Sequence, residues 1–234
     1  MEMIALIIVL AVILLLGYLI GYLEVIHFGK LSYRNVLVGL LVGAFLIALL
    51  GFLYGFEIIS EAIARQSSMG LYTLVSGFFL GAGTRNVSKR MNAGFLRYAN
   101  NSFSSETLPN LISTLFFAYG IYKTGILTED AITGLRITSG VSLVGLGFYG
   151  FSLRLVPEFR NKGVLLLDRF IHWKHVLSFE WHSEQVLAVD YMLPDKHISE
   201  FRTLIPIEDR KEVEELLNKM IEEYKQEENF PEPD

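Results

Sequence analysis

Glu57, Glu61 and Arg65 are spaced four apart. On a helix this makes one ladder with the carboxylates ahead of the guanidinium, which is the favourable order. Arg136 stands in an apolar stretch that follows Thr128, Glu129 and Asp130, a helix-start signal. A guanidinium in apolar surroundings calls for a carboxylate, so Glu57 or Glu61 is its expected partner. Inside a membrane such charges mark an ion or substrate site, whereas at an interface they anchor the structure; both readings stay open.

Other chemistry-bearing residues are sparse. Four of the five histidines, His172, His175, His182 and His197, fall in the last third of the chain. Their spacing matches no metal motif, and with no cysteine there is neither a thiolate ligand nor a disulfide framework. No HExxH pair, nucleophile elbow or phosphate-cradling loop occurs, and the glycine clusters follow no strand. The chain is therefore expected to have no catalytic residues, no metal, no cofactor and no nucleic-acid partner.

A second kind of spacing concerns packing. Gly17 and Gly21, Gly39 and Gly43, Gly51 and Gly55, and Gly77 and Gly81 are each four apart, so each pair shares one helix face. In lipid such faces let backbones approach closely, either within the chain or between copies of it. Arg85, Lys89, Arg90 and Arg97 recur opposite Val87, Met91, Phe95 and Tyr98 on a helical wheel. That is the pattern of a basic interfacial helix drawn to anionic lipid headgroups; the same charges also act simply as topology determinants.

These residues need elements to hold them. Of the 234 residues 52% are hydrophobic and 19% charged, fewer charges than a water-soluble globule carries. Residues 1–157 hold 10 Lys and Arg against 7 Asp and Glu, and residues 158–234 hold 10 against 18, so the first part is basic and the second acidic. A spanning helix needs about 20 apolar residues. Uncharged runs predict about five spans, near 3–23, 36–56, 67–84, 107–125 and 131–153, in a polytopic α-helical membrane bundle covering residues 1–157. The first run has no basic lead-in and exceeds the apolar core of a secretory signal, which favours an uncleaved anchor. Lys30, Arg34, Arg85, Lys89, Arg90, Arg97, Arg154, Arg160 and Lys162 would share one side, against Arg65 and Lys123 with Arg136 just inside. The positive-inside rule then puts the amino terminus outside and the carboxy-terminal region in the cytoplasm, in the plasma (inner) membrane.

After Pro157 the pattern changes. Residues 163–168, 170–173, 177–181, 187–191 and 201–207 read as strands, several with period-2 alternation. Val213, Leu216, Leu217, Met220, Ile221 and Tyr224 then recur at helical spacing. An α+β module with an antiparallel sheet and a C-terminal helix is predicted over 158–226, with a disordered tail at 227–234. Gly163-Val164, Ile171-His172-Trp173, Val176 and Leu204-Ile205-Pro206 ahead of the acidic helix resemble the pleckstrin-homology-like domains of small bacterial membrane proteins. The resemblance spans about 158–225 and implies a cytoplasmic module beside membrane helices, without catalytic residues. The acidic helix is a further expected docking element for the basic segment at 85–97, or else a solvated face.

Together these features predict a non-enzymatic integral membrane sensor or scaffold with a cytoplasmic protein-interaction module. Its expected partners are the lipid bilayer, anionic headgroups at the cytoplasmic face, and a protein or second copy of the chain. The alternative is a small transporter, channel or membrane-disrupting effector gated by the module.

Overall fold

The computed structural model describes residues 2–23, 45–46, 48–100, 107–128, 131–153, 156–167, 169–193 and 195–229. Two compact units divide the chain: Met1–Val87 with Leu108–Leu153, and Ser88–Thr107 with Arg154–Asp234.

The first unit is helical. α1 runs Glu2–Tyr22, a helical stretch covers 48–55, α2 runs Glu61–Asn92, α3 Leu108–Lys123 and α4 Gly134–Ser152. The last turn of α2, from Ser88, belongs to the second unit. Small residues face inward: Thr73, Ser76, Gly77, Gly81, Ser139, Gly140 and Ser142 are buried along α2 and α4. Large ones face outward, including Ile4, Ile7 and Ile8 on α1 and Leu111 and Leu115 on α3. Three of the inward hydroxyls bond their own helix, Thr73 Oγ1 to Met69 O and Ser142 Oγ to Ser139 O among them, so burial leaves them satisfied.

This architecture corrects the expected polytopic bundle of about five spans. Among the described residues one helix, α1 over Met3–Tyr22, is long and apolar enough to cross a membrane. α3, with 16 residues, is about 24 Å long, short of a hydrocarbon layer of about 30 Å. The uncharged runs in α2 and α4 are diluted by the serines, threonines and glycines that pack inward, so freedom from charge there does not amount to sufficient apolarity. Residues 36–44 and 47 of the expected span at 36–56 lie outside the described residues, and the multi-pass topology drawn from all five spans is withdrawn with the bundle.

Among the described residues of the second unit, seven strands form two antiparallel sheets. β1 (Leu96–Ala99), β2 (Glu158–Arg160), β3 (Gly163–Leu166) and β4 (Arg169–His172) make the first; β5 (Val176–Trp181), β6 (Val186–Met192) and β7 (Ile198–Leu204) make the second, each in sequence order. α5, Arg210–Asn229, follows a 3-10 turn at Ile207–Asp209. Val213, Leu217, Met220 and Ile221 lie buried on one face of α5 and join Phe159, Trp173, Leu187 and Val189 in the core. α5 extends three residues past the expected end of the module, and the remaining tail at 230–234 lies outside the described residues.

β1 departs from the sequence pattern. The basic segment at 85–97 was expected to be a single amphipathic helix. It leaves the helix at Asn92, turns at Gly94 with φ of +80°, and enters the sheet beside β2. That left-handed conformation suits glycine, which carries no Cβ to clash with the backbone.

Candidate functional site

The second unit carries two polar arrangements, one buried and one exposed. Glu158 and Arg160 are two apart on β2 and therefore share a face; both are buried. Arg160 donates from Nε to Glu158 Oε2 at 2.8 Å, and its Nη2 lies 2.7 Å from the same oxygen. Its Nη1 donates to the carbonyls of Arg90, at 3.2 Å, and Gly94, at 2.7 Å. Arg90 returns a second cation to Glu158 at 3.1 Å, and Trp173 Nε1 donates to the Arg160 carbonyl at 2.8 Å. One carboxylate thus holds two guanidiniums, and the cluster binds the end of α2 and the Gly94 turn to the sheet.

A second tie comes from Tyr98, whose hydroxyl donates to Asp209 Oδ2 at 2.9 Å. Burial, then the Asp209 carboxylate, push the phenol well above its ordinary value. A folded-state value above the unfolded one means stability that is whole below the ordinary phenol range, about pH 10, and is lost as pH rises beyond it. Tyr98→Phe is therefore expected to lose about 1 kcal/mol at neutral pH, one hydrogen bond's worth. Its deficit should shrink as pH rises past about 10, since the parent alone is weakened there. Urea unfolding of both chains at two pH values tests this; a deficit that stays constant would contradict it.

The exposed arrangement is the outer face of the second sheet. Register places Met192 opposite Ile198 at one end and the half-buried Val186 opposite Leu204 at the other, with Asp190, Glu200, Arg202 and the buried Ala188 between them. Ile198 and Leu204 are 68% and 62% exposed, although both belong to a strand whose alternate residues Phe201 and Thr203 are buried. Arg202 bonds Glu200 and holds its carboxyl below the usual range. His182 Nε2 lies 3.4 Å from Glu180 and 3.8 Å from Glu200. On the other sheet, burial followed by the Lys174 and His175 charges lowers the His172 value. Among the described residues no group of three His, Cys, Asp or Glu side chains is arranged to hold a metal.

In the first unit the glycine pairs sort themselves. A Cβ on Gly17 or Gly21 would overlap the carbonyl oxygens of Leu74 and Phe78, and one on Gly77 or Gly81 those of Leu14 and Tyr18. Two GxxxG faces are thus pressed together, backbone on backbone, between α1 and α2. Gly51 and Gly55 have nothing within 4 Å of a built Cβ, and Gly39 and Gly43 lie outside the described residues. A second close contact, which the four-residue spacing did not reveal, joins α3 to α4 through Gly120 on Gly140 and Gly147 on Ser113. The two residues that each helix contributes, Ser113 with Gly120 and Gly140 with Gly147, are seven apart, a two-turn repeat that would have exposed them in the sequence.

The charge ladder is only partly assembled. Glu57 sits in a turn at φ of +56°, where Ile58 and Ile59 fold back on the carbonyl of Leu53, so it leaves the helical face of Glu61 and Arg65. Glu61 opens α2, and Arg65 follows it one turn later; both are exposed. Both line an open cavity of about 440 Å³ together with Tyr54, Tyr72, Leu71 and Leu135. Arg136 lies in the first turn of α4, where Thr133 caps the helix by accepting the Arg136 N–H at 3.3 Å. Of the four basic residues expected at a lipid interface, Arg85 is buried and donates to the Gly21 carbonyl at 3.4 Å, and Arg90 pairs with Glu158. Lys89 is half-buried on α2, and Arg97, on β1, is exposed and bonds Asn161. Glu158 and Arg160 were the residues missed; their signal is a charged pair flanking Phe159 in a strand otherwise suited to the core.

The chain matches no curated protein and no solved structure. Residues 155–222, covering β2 through most of α5, match the family model described as Domain of unknown function (DUF5673).

Proposed function

We propose that this chain is a non-enzymatic, membrane-anchored scaffold or sensor in which α1 holds the protein in a bilayer and the second unit docks a protein partner. The observation that carries the docking role is the outer face of the β5–β6–β7 sheet. Two apolar patches, Met192 with Ile198 and Val186 with Leu204, bracket a charged centre of Asp190, Glu200 and Arg202. Apolar anchors set beside polar groups are what a protein interface requires.

The glycine clamp supports an anchor over a cleaved leader: removing α1 would leave Gly77 and Gly81 without the backbone they are shaped to meet. Ile4, Ile7 and Ile8, outward on α1, are then covered by lipid rather than water. Lys30 and Arg34 follow α1 in sequence, which favours the amino terminus outside and the second unit in the cytoplasm, with the inner membrane as its site.

Two measurements test the reading. Carbonate-washed membranes should retain the chain and release a variant lacking residues 2–23, and protease added from outside should spare the second unit. Ile198→Glu with Leu204→Glu should abolish photocrosslinking of a protein partner from a probe at Met192. Surface changes of this kind should alter stability by no more than about 0.5 kcal/mol. Crosslinking that survives both glutamates removes the docking face, and a chain washed free by carbonate removes the anchor.

A further inference from the structure

The cavity in the first unit is independent of the docking face and carries an inference of its own. Its volume of about 440 Å³ falls within the usual span for small-ligand sites, about 300–1,000 Å³. Most of its wall is apolar, with Leu50, Leu71 and Leu135 contributing. Into this wall the chain sets one carboxylate, Glu61, and one guanidinium, Arg65, a single helical turn apart on α2. Both side chains are exposed at the open side of the cavity, so each charge is accessible to a molecule that enters it.

That arrangement selects among ligand chemistries. An anion would satisfy Arg65 and be repelled by Glu61, a cation would do the reverse, and an apolar molecule would leave both charges facing an occupied site. A zwitterion answers both at once. Side chains at this spacing start about 5–6 Å apart at Cβ, which suits opposite charges separated by a short spacer rather than by one carbon. Tyr54 and Tyr72 add phenolic hydroxyls to the lining, able to donate to a phosphate.

We infer that this cavity binds a zwitterionic ethanolamine-phosphate group, its ammonium on Glu61 and its phosphate on Arg65, with apolar substituents against Leu50, Leu71 and Leu135. The group could be the head of a lipid or a water-soluble phosphoethanolamine; the chemistry of recognition is shared. Nothing covalent happens to it.

The test is native mass spectrometry of the full chain in non-ionic detergent, with phosphatidylethanolamine, phosphatidylglycerol and free phosphoethanolamine added separately. Retention of phosphatidylethanolamine identifies the lipid source, and retention of phosphoethanolamine alone the soluble one. In either case Glu61→Ala and Arg65→Ala should each weaken binding about tenfold, the loss of one charge-assisted contact. The exchanged pair Glu61→Arg with Arg65→Glu should recover most of it, because both charges are again present. Gly51→Phe supplies a second check: Gly51 lines the cavity and a Cβ there meets nothing within 4 Å, so the ring fills the space without disturbing the backbone. It should abolish retention while the chain stays folded. Retention unchanged by Arg65→Ala and Gly51→Phe overturns the site, as does phosphatidylglycerol held as well as phosphatidylethanolamine.

Discussion

Replacing Glu158 with alanine should destabilise the second unit by about 3–5 kcal/mol, the range found when one member of a buried ion pair is removed. The reason lies in what remains. Arg160 keeps a full charge in a site where its side chain is 8% exposed, and Arg90 loses its carboxylate as well. The two backbone acceptors on Arg90 and Gly94 satisfy Nη1 but leave Nε and Nη2 without the oxygen they share. Hydrogen exchange over 158–172 should report the loss directly. Arg90→Ala should have a smaller effect, because its side chain is 37% exposed and water takes over part of the interaction. Replacing Glu158 and Arg160 together with methionine should recover much of the stability, since the desolvation of both charges disappears with the pair. A loss below about 1 kcal/mol for Glu158→Ala would mean that the cluster is not the staple described.

The second large effect belongs to Gly81. Its neighbours at the point where a Cβ would go are the carbonyl oxygen, carbonyl carbon and Cα of Tyr18, all backbone, so no side chain can swing aside. Overpacking of a fitted contact costs about 1–3 kcal/mol and more where the surroundings cannot yield. Gly81→Leu should therefore part α1 from α2. The chain has no cysteine, which makes a crosslink clean to read. Gly70 has Ile13 Cδ1 3.5 Å from its built Cβ, so Ile13→Cys with Gly70→Cys reports on this contact. A short bismaleimide should join that pair in the parent and largely fail to do so with Gly81→Leu added. Gly51→Leu is the matched control, with open space at its Cβ, and should leave the crosslink intact. Crosslinking that persists in Gly81→Leu would show that the two helices meet elsewhere.

What was legible in the chain follows from whether a local period carries the information. β5, β6 and α5 announce themselves because each alternates or repeats within its own residues: Phe179 and Trp181, Leu187, Val189 and Tyr191, then Val213, Leu217 and Ile221. β1 does not. Leu96–Ala99 is four residues long, and its place is set by pairing with Phe159 and Glu158 some sixty residues away, while its own apolar positions continue a helical stripe begun at Val87. The same limit applies to the glycine pairs. Spacing of four marks Gly17, Gly21, Gly77, Gly81, Gly51 and Gly55 alike, and only a facing backbone separates the first four from the last two. The five-span expectation failed because it counted runs without charge. In α2 and α4 such runs are occupied by small polar residues whose hydroxyls bond their own helix, which removes charge without supplying apolarity. The ladder of Glu57, Glu61 and Arg65 presumed one continuous helix, and the turn at Glu57 breaks it.

The placement of the two tryptophans has a spectroscopic consequence. Trp173 is 1% exposed and stacks near Phe159, while the Arg210 guanidinium lies 4.6 Å over the ring of Trp181. Both belong to the second unit, and the chain has no others. Indole emission from the intact protein therefore comes from one half of it: one component from a buried indole shielded from water, and another whose intensity depends on a neighbouring cation. Events in the helical unit are dark in this channel unless they reach β5 or the 3-10 turn at Trp173–His175. The wild-type chain thus carries its own label, and a change in that emission when the cavity beside Glu61 and Arg65 is filled would be communication between the two units, seen without adding a dye.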